Sequence, residues 1–462
     1  MIVKIAFRNI LRNGRRSLMT LLAIAVGGIA IVLFGEFISF VRVSLETNAV
    51  ENVGHLTVFR NGYFDYGAGN PGAFGIDRYE DVIRMIAEDP VVAPTLNVVT
   101  PTISLTGIAG NFEIDASKTF LGTGYVPRDR ERLRRWDEHG VTLGRIRTDS
   151  GLSDEDESRG VVGLGLARVL GLCEDLRIPN CPPRPAPSVR NVSASSLAPP
   201  PIAVDPEPDA GSRVKGPRLD LLAATASGAP NVLSLYVTRA EPQGARELDE
   251  NVVLMSFSLA QKLLYGRGEK KATGIILQLE RTSDLVKVRA RLNELFASRH
   301  LDLEVRDFAE REPFYRQAVG MFGAIFLFIS FIMGIIVVFT VVNTTGMSVA
   351  ERTNEIGTVR AMGVRRGGVR RLFVAEGAML GILGATLGVL AGQVLAILFN
   401  RAGATWTPPG QAAPVPLAVL TSGVTGLLVS AWVGLVVMAT IAAVVPANRA
   451  ARLEVVDALR HV

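Results

Sequence analysis

The chain has 462 residues, of which 48% are hydrophobic and 20% charged, with a net charge of +5 and a mean hydropathy of +0.30. So small a positive excess, gathered beside apolar runs, argues for control of membrane topology and against nucleic-acid binding. The length allows a membrane part plus at least one soluble domain.

Residues 1–16 alternate apolar positions (Ile2, Ile5, Ile10, Leu11) with Lys4, Arg8, Arg12, Arg15 and Arg16. That pattern predicts a basic amphipathic helix in a cytoplasmic membrane interface. Residues 17–41 are almost wholly apolar and long enough to cross ~30 Å of hydrocarbon. They read as a retained first transmembrane helix rather than a signal peptide. Glu36, near its outer end, is expected to be an interfacial, hydrated carboxylate, with a substrate-contacting or gating role as the alternative.

From 42 to 316 strand-like and helix-like runs alternate, which predicts an α+β extracytoplasmic domain. Gly54–Phe59, Ser234–Thr238 and Thr273–Leu279 read as strands, and the run VVAPTLNVVTPTISLTG as strand pieces. Arg78–Glu88, Gly160–Leu172 and Asp284–Arg299 read as helices, the second ending on a glycine. Residues 179–230 are rich in Pro, Ser and Ala and too poor in large apolar side chains to bury a core. They read as a mobile insertion. The two cysteines, Cys173 and Cys181, fit neither a zinc site nor a Cys-x-x-Cys motif. In an extracytoplasmic setting they are expected to form a local disulfide, with two unpaired thiols as the alternative.

Three further apolar runs follow, at 317–345, 372–399 and 417–445. They flank a charged segment at 346–371 and a short external connection at 400–416. A basic tail at 446–462 carries Arg449, Arg452 and Arg460. The 346–371 segment carries Arg352, Arg360, Arg365, Arg366, Arg370 and Arg371 against two acids, Glu351 and Glu355. A central Arg costs roughly 2.5–3.5 kcal/mol or more in hydrocarbon, so this segment is aqueous, and its charge places it in the cytoplasm. The expected fold is therefore a membrane protein with four transmembrane α-helices. Its large α+β extracytoplasmic domain lies between the first and second, and both termini are inside. In the third run Gly377, Gly381, Gly384, Gly388 and Gly392 predict a close-packing face, within the bundle or at a dimer interface.

The chemistry expected of an enzyme is missing from the sequence. No Gly-x-x-x-x-Gly-Lys-Ser/Thr occurs, so no ATP-binding P-loop is read in this chain. His55, His139, His300 and His461 are scattered without metal-ligand spacing and read as surface or turn residues. Energy for any transport would enter through another subunit. The charged segment is the natural inlet: a helix over Val349–Met362, lying along the membrane, could dock in a groove of a soluble partner.

The run MSVAERTNEIGTVRAMGVRRGGVRRLF resembles the cytoplasmic coupling segment of ABC-transporter permeases of the MacB, LolC/LolE and FtsX type. The opening IAFRNILRNGRRSLMTLLAIAVG and the tail PANRAARLEVVDALR are similar to theirs. GHLTVFRNGY, GVVGLGLARVLGL and ELDENVVLMSFSLAQKLL look like the LolC/LolE branch. The resemblance implies a homodimeric or heterodimeric permease of the bacterial inner membrane, working by mechanotransmission with separate ATPase subunits that bind ATP and Mg. It implies that Glu351, Arg352, Glu355, Ile356, Gly357, Arg360, Ala361 and Gly363 form the coupling contact. Lipoproteins or other amphiphiles are the implied cargo, with a periplasmic lipoprotein carrier or adaptor as a further partner. An FtsX-like scaffold for a cell-wall hydrolase and a MacB-like antibiotic or peptide pump are the alternatives. The Pro-rich insertion and the cysteine pair are departures that do not map onto the resemblance to the lipoprotein-releasing permeases.

Overall fold

The computed structural model describes residues 2–12, 14–67, 69–141, 151–154, 156–178, 181, 216–243, 246–266, 269–407 and 414–455. Helices α1 (Ile2–Arg12) and α2 (Gly14–Val53) lead into strand β1 (Leu56–Arg60), β2 (Ile76–Asp77), α3 (Tyr79–Glu88) and the long strands β3 (Leu96–Asn111) and β4 (Ala116–Tyr125). Next come α4 (Pro127–Leu133), β5 (Arg159–Gly163), α5 (Leu164–Val169), β6 (Arg218–Ala224), β7 (Pro230–Glu241), α6 (Arg246–Asp249), β8 (Val252–Ser256) and α7 (Phe257–Tyr265). The chain continues with β9 (Lys271–Ala272), β10 (Gly274–Leu279), α8 (Leu285–Ser298), β11 (Leu303–Asp307) and α9 (Phe308–Arg311). It closes with α10 (Pro313–Glu351), α11 (Thr353–Ala361), α12 (Arg366–Ala402) and α13 (Thr425–Arg452). These elements form two units. One holds Met1–Val43, Gln317–Trp406 and Pro416–Val462; the other holds Ser44–Arg316 and Thr407–Val415.

The first unit is a helical bundle. α2, α10, α12 and α13 are each long and apolar enough to cross a membrane. Its core holds Ile24, Val32, Val337, Val341, Ala385, Leu435 and Ala439. The glycines of α12 divide between two neighbours. A Cβ on Gly377 would collide with Cβ of Ala443, and one on Gly381 would lie 2.8 Å from Cβ of Ala439, both on α13. A Cβ on Gly384 would lie 2.7 Å from Ile24 Cβ, on Gly388 2.7 Å from the Ala25 carbonyl oxygen, and on Gly392 3.0 Å from Val32, all on α2. The stripe therefore packs within the bundle. The fourth apolar run becomes helical only at Thr425, because residues before it are held as a loop. Asn400 at the end of α12 donates to the Val419 carbonyl (2.8 Å) and accepts from Val419 N–H (2.9 Å).

The second unit is built on a nine-stranded sheet, ordered β11-β1-β10-β3-β4-β8-β5-β7-β6, with β6 also pairing with β3. The pairing of β3 with β6 closes β3, β4, β8, β5, β7 and β6 into a ring. Period-two burial explains the ring: Ile103, Leu105 and Ala109 of β3, Leu219, Leu221 and Ala223 of β6, and Leu235 and Val237 of β7 all point into one core. The single strand β3 replaces the separate pieces expected over that run. Its first half pairs with β10 and its second with β6, while β4 runs along Thr102–Asn111.

Three further readings of this unit are corrected. Gly160–Leu172 is not one helix: β5 ends at Gly163 and α5 begins at Leu164. The break is fixed by Asp249, whose carboxylate accepts from the N–H groups of Leu164 and Gly165, each at 3.0 Å. The insertion expected over 179–230 ends earlier, since Arg218–Ala224 is strand β6. Residues 179, 180 and 182–215 of it lie outside the described residues. His55 is not a surface residue; it is fully buried, against Trp136 with ring centroids 4.9 Å apart. Cys173 and Cys181 are joined as a disulfide with their Cα atoms 6.1 Å apart.

Candidate functional site

The charged segment at 346–371 does not form the single helix expected over Val349–Met362. α10 runs on to Glu351, the backbone breaks helical form at Arg352 (φ −100°, ψ 16°), and α11 begins at Thr353. α11 ends at Ala361, and two residues on, Gly363 has a φ of +98°, open to glycine and strained for other residues. The break sorts the side chains. Ile356 and Gly357 turn into the bundle, where Ile356 packs with Val349, Val369, Phe373, Ala447 and Ala450. Glu351, Glu355, Ala361 and Gly363 are exposed. So are Val359, Met362 and Val364, apolar residues around the end of α11 that sequence reading passed over.

Both acids of this segment, and Arg352 and Arg360 among its arginines, find partners in two ways. On the exposed side Arg16 of α2 pairs with Glu351, and Arg12 of α1 reaches both carboxylate oxygens of Glu355 at 2.6 and 2.7 Å. On the buried side Arg352, 6% exposed, pairs with Glu376 of α12 at 3.2 Å. Asn9 of α1 donates to the same Glu376 oxygen at 2.5 Å, and Arg352 donates to the Asn9 carbonyl at 3.3 Å. Arg360, half-buried, donates to the Leu453 carbonyl beyond α13. A small cavity of about 30 Å³ lies beside the cluster, lined by Asn9, Ser17, Thr345, Ser348, Arg352 and Glu376 among others. It is large enough for a water molecule.

Of the eight residues expected at the coupling contact, then, Arg352, Ile356 and Gly357 belong to the bundle interior, and Arg360 ties α11 to the tail. Glu351, Glu355, Ala361 and Gly363 remain on the surface. Asn9, Arg12, Arg16 and Glu376 complete the cluster. Glu376 stands in the run LFVAEGAML, and a lone acid there was the signal that could have found it.

A second buried acid belongs to the bundle. Glu36 is fully buried and accepts from the Gln393 amide of α12, while its carbonyl accepts from Leu420 N–H at 3.2 Å. The expectation of a hydrated interfacial carboxylate is overturned: α12 supplies a polar partner where water was anticipated. Among the described residues no group of three or more His, Cys, Asp or Glu side chains is placed to hold a metal ion.

Residues 327–455 match the family described as FtsX-like permease C-terminal. The chain is 27% identical over 135 residues to the macrolide export ATP-binding/permease protein MacB of Escherichia coli, covering 29% of this chain and 21% of that protein. It is 28% identical over 221 residues to the MacB of Chlorobium luteolum, covering 46% of this chain and 30% of that one. It is 38% identical over 76 residues to the ABC transporter permease YtrF of Bacillus subtilis, covering 16% and 17%. The chain thus spans less than a third of the length of each of these relatives. With four helices of membrane-spanning length, these matches mark the chain as a bacterial membrane protein similar to ABC-transporter permeases, the similarity to the FtsX-like permease C-terminal family lying over residues 327–455.

Proposed function

We propose that this chain is the transmembrane permease subunit of an ABC transporter that works by mechanotransmission. A separate ATPase hydrolyses ATP, and the movement serves to extract or export lipoproteins or other amphiphiles from the outer leaflet of the inner membrane. The observation that carries the reading is α11: a short helix between two membrane-spanning helices that offers both acids and apolar side chains to solvent. Glu355, Val359, Met362 and Val364 form a surface a soluble subunit can grip. In this reading α11 faces the cytoplasm, the sheet-built unit is extracytoplasmic, and the permease works as a pair, with a second copy or a paralogue. A periplasmic lipoprotein carrier or adaptor receives the cargo, and ATP and Mg reside in the ATPase.

Replacing Glu351 and Glu355 together by Lys should abolish substrate-stimulated ATPase activity of the complex in proteoliposomes. Because the same change also breaks the bridges to Arg16 and Arg12, the control is Arg12→Ala with Arg16→Ala, which removes the bridges and leaves the acids. The control should retain stimulation. Unchanged activity in the double Lys variant would remove α11 from the coupling contact.

A second reading, export of macrolide-like or peptide amphiphiles, draws support from the relatives named for macrolide export. Stimulation by a macrolide and not by an acylated peptide would favour it. An ATPase-linked scaffold that activates a cell-wall hydrolase predicts stimulation by neither.

A further inference from the structure

We propose that Arg352 is the fixed pivot of α11, pinned by Glu376 and Asn9, and that the exposed bridge Arg12–Glu355 is its releasable side. The argument rests on the proposed coupling role of α11 and on four observations. Arg352 is the residue at which the long α10 gives way to α11, with non-helical dihedrals. The backbone there is still hydrogen-bonded on both sides, Arg352 N–H to Ser348 carbonyl (3.2 Å) and Ile356 N–H to Arg352 carbonyl (2.9 Å), so the joint bends without breaking. The side chain of Arg352 and that of Glu376 are 7% and 9% exposed, while the four partners of the outer bridges are 39% to 57% exposed. Asn9 ties both members of the buried pair to α1.

Physics separates these contacts. A buried ion pair cannot part without leaving bare charges in a low-dielectric interior, so it persists through a movement. An exposed pair exchanges its partner for water or another charge at almost no cost. A soluble partner pulling on α11 therefore rotates it about Arg352. Glu355 releases Arg12, and the rotation passes through Glu376 into α12 and through Asn9 into α1. Arg352, Glu376 and Asn9 act as positioning residues; none needs to touch the partner.

The test uses the full chain in nanodiscs with spin labels at Leu11→Cys on α1 and Met362→Cys beyond α11, both exposed sites. Cys173 and Cys181 are bonded to each other and stay unlabelled. The label-to-label distance distribution should be narrow in the parent chain and broad in Arg352→Ala. It should narrow again in the exchanged pair Arg352→Glu with Glu376→Arg. With the ATPase present, Arg352→Ala should still co-purify with it while stimulated turnover falls about tenfold or more, and the exchanged pair should recover to within about threefold. An unchanged distribution in Arg352→Ala overturns the pivot, as does an exchanged pair that stays broad. If Arg352→Ala fails to fold, the exchanged pair and Asn9→Ala decide on the same distance readout. Should the parent chain recruit no ATPase, the coupling function fails while the distances still judge the pivot.

Discussion

At the scale of single residues, burial decides which charges carry structure. Arg352 and Ile356 are four apart, as are Glu351 and Glu355, yet the first pair is buried and the second exposed. The spacing was legible in the sequence; which side faced the bundle was not, because that depends on Glu376 and Asn9, far away in the chain. His55 makes the same point. It accepts from Leu279 N–H through Nδ1 at 3.0 Å and sits 3.2 Å from the Thr282 hydroxyl through Nε2. Burial lowers its pKa from 6.5 to about 3. The folded form therefore holds the ring neutral where the unfolded chain would protonate it. Its stability contribution is complete above about pH 6.5 and is lost as pH falls toward 3. By pH 5 the loss is about 2 kcal/mol. His55→Gln should weaken the protein at pH 7 but flatten the slope between pH 6 and 4. Hydrogen exchange across β1 and β10 of the full chain in detergent reads this directly. An equally steep slope in the variant would assign the acid sensitivity to other groups.

At the scale of elements, the glycine stripe shows what sequence periodicity can and cannot say. Spacing by four indicated a close-packed face but left its partner open. The structure divides the face between α13 and α2 along one helix, which follows from α12 crossing each neighbour at a different height. Gly388 meets backbone on α2: a Cβ there would lie 2.7 Å from the Ala25 carbonyl oxygen and 3.1 Å from Gly28 Cα. Gly388→Val forces backbones apart that no rotamer can relieve, and should cost roughly 1–3 kcal/mol or more. Gly434 on α13 has nothing within 4 Å of its Cβ position. Gly434→Ala should be neutral or slightly stabilising, since helix propensity improves without a clash. Thermal denaturation of both in one detergent provides the comparison. Equal melting temperatures would mean that α12 and α2 are free to separate. The helix ends were less legible than the spans: hydropathy extends the fourth run back to residue 417, while the Asn400 clasp on Val419 delays the helix to Thr425.

At the scale of the whole molecule, four apolar runs and an intervening α+β segment were readable because hydrocarbon thickness and period-two burial leave direct marks on sequence. The ring of strands was not readable, since closure needs β3 to pair with β6 across a stretch that composition alone presents as a linker. The closure has a weak point at Gly107. It lies opposite Phe120 of β4 and Ala223 of β6, and a Cβ there would strike the Leu222 carbonyl and lie 2.8 Å from the Phe120 ring. Glycine is needed at Gly107 so that Phe120 can fill the interior while β6 comes close enough to bond. Gly107→Val should therefore pry β6 from β3. The cost is about 1–3 kcal/mol from overpacking, with the β3–β6 hydrogen bonds lost in addition. Amides of Ile108 to Gly110 and of Asp220 to Ala223 should lose exchange protection first. The β3–β10 ladder, held by the other half of the same strand, should keep its protection. Loss spread evenly over both halves would mean that the ring and the β11-β1-β10 flank open together, and that β3 is a shared spine rather than two independent pairings.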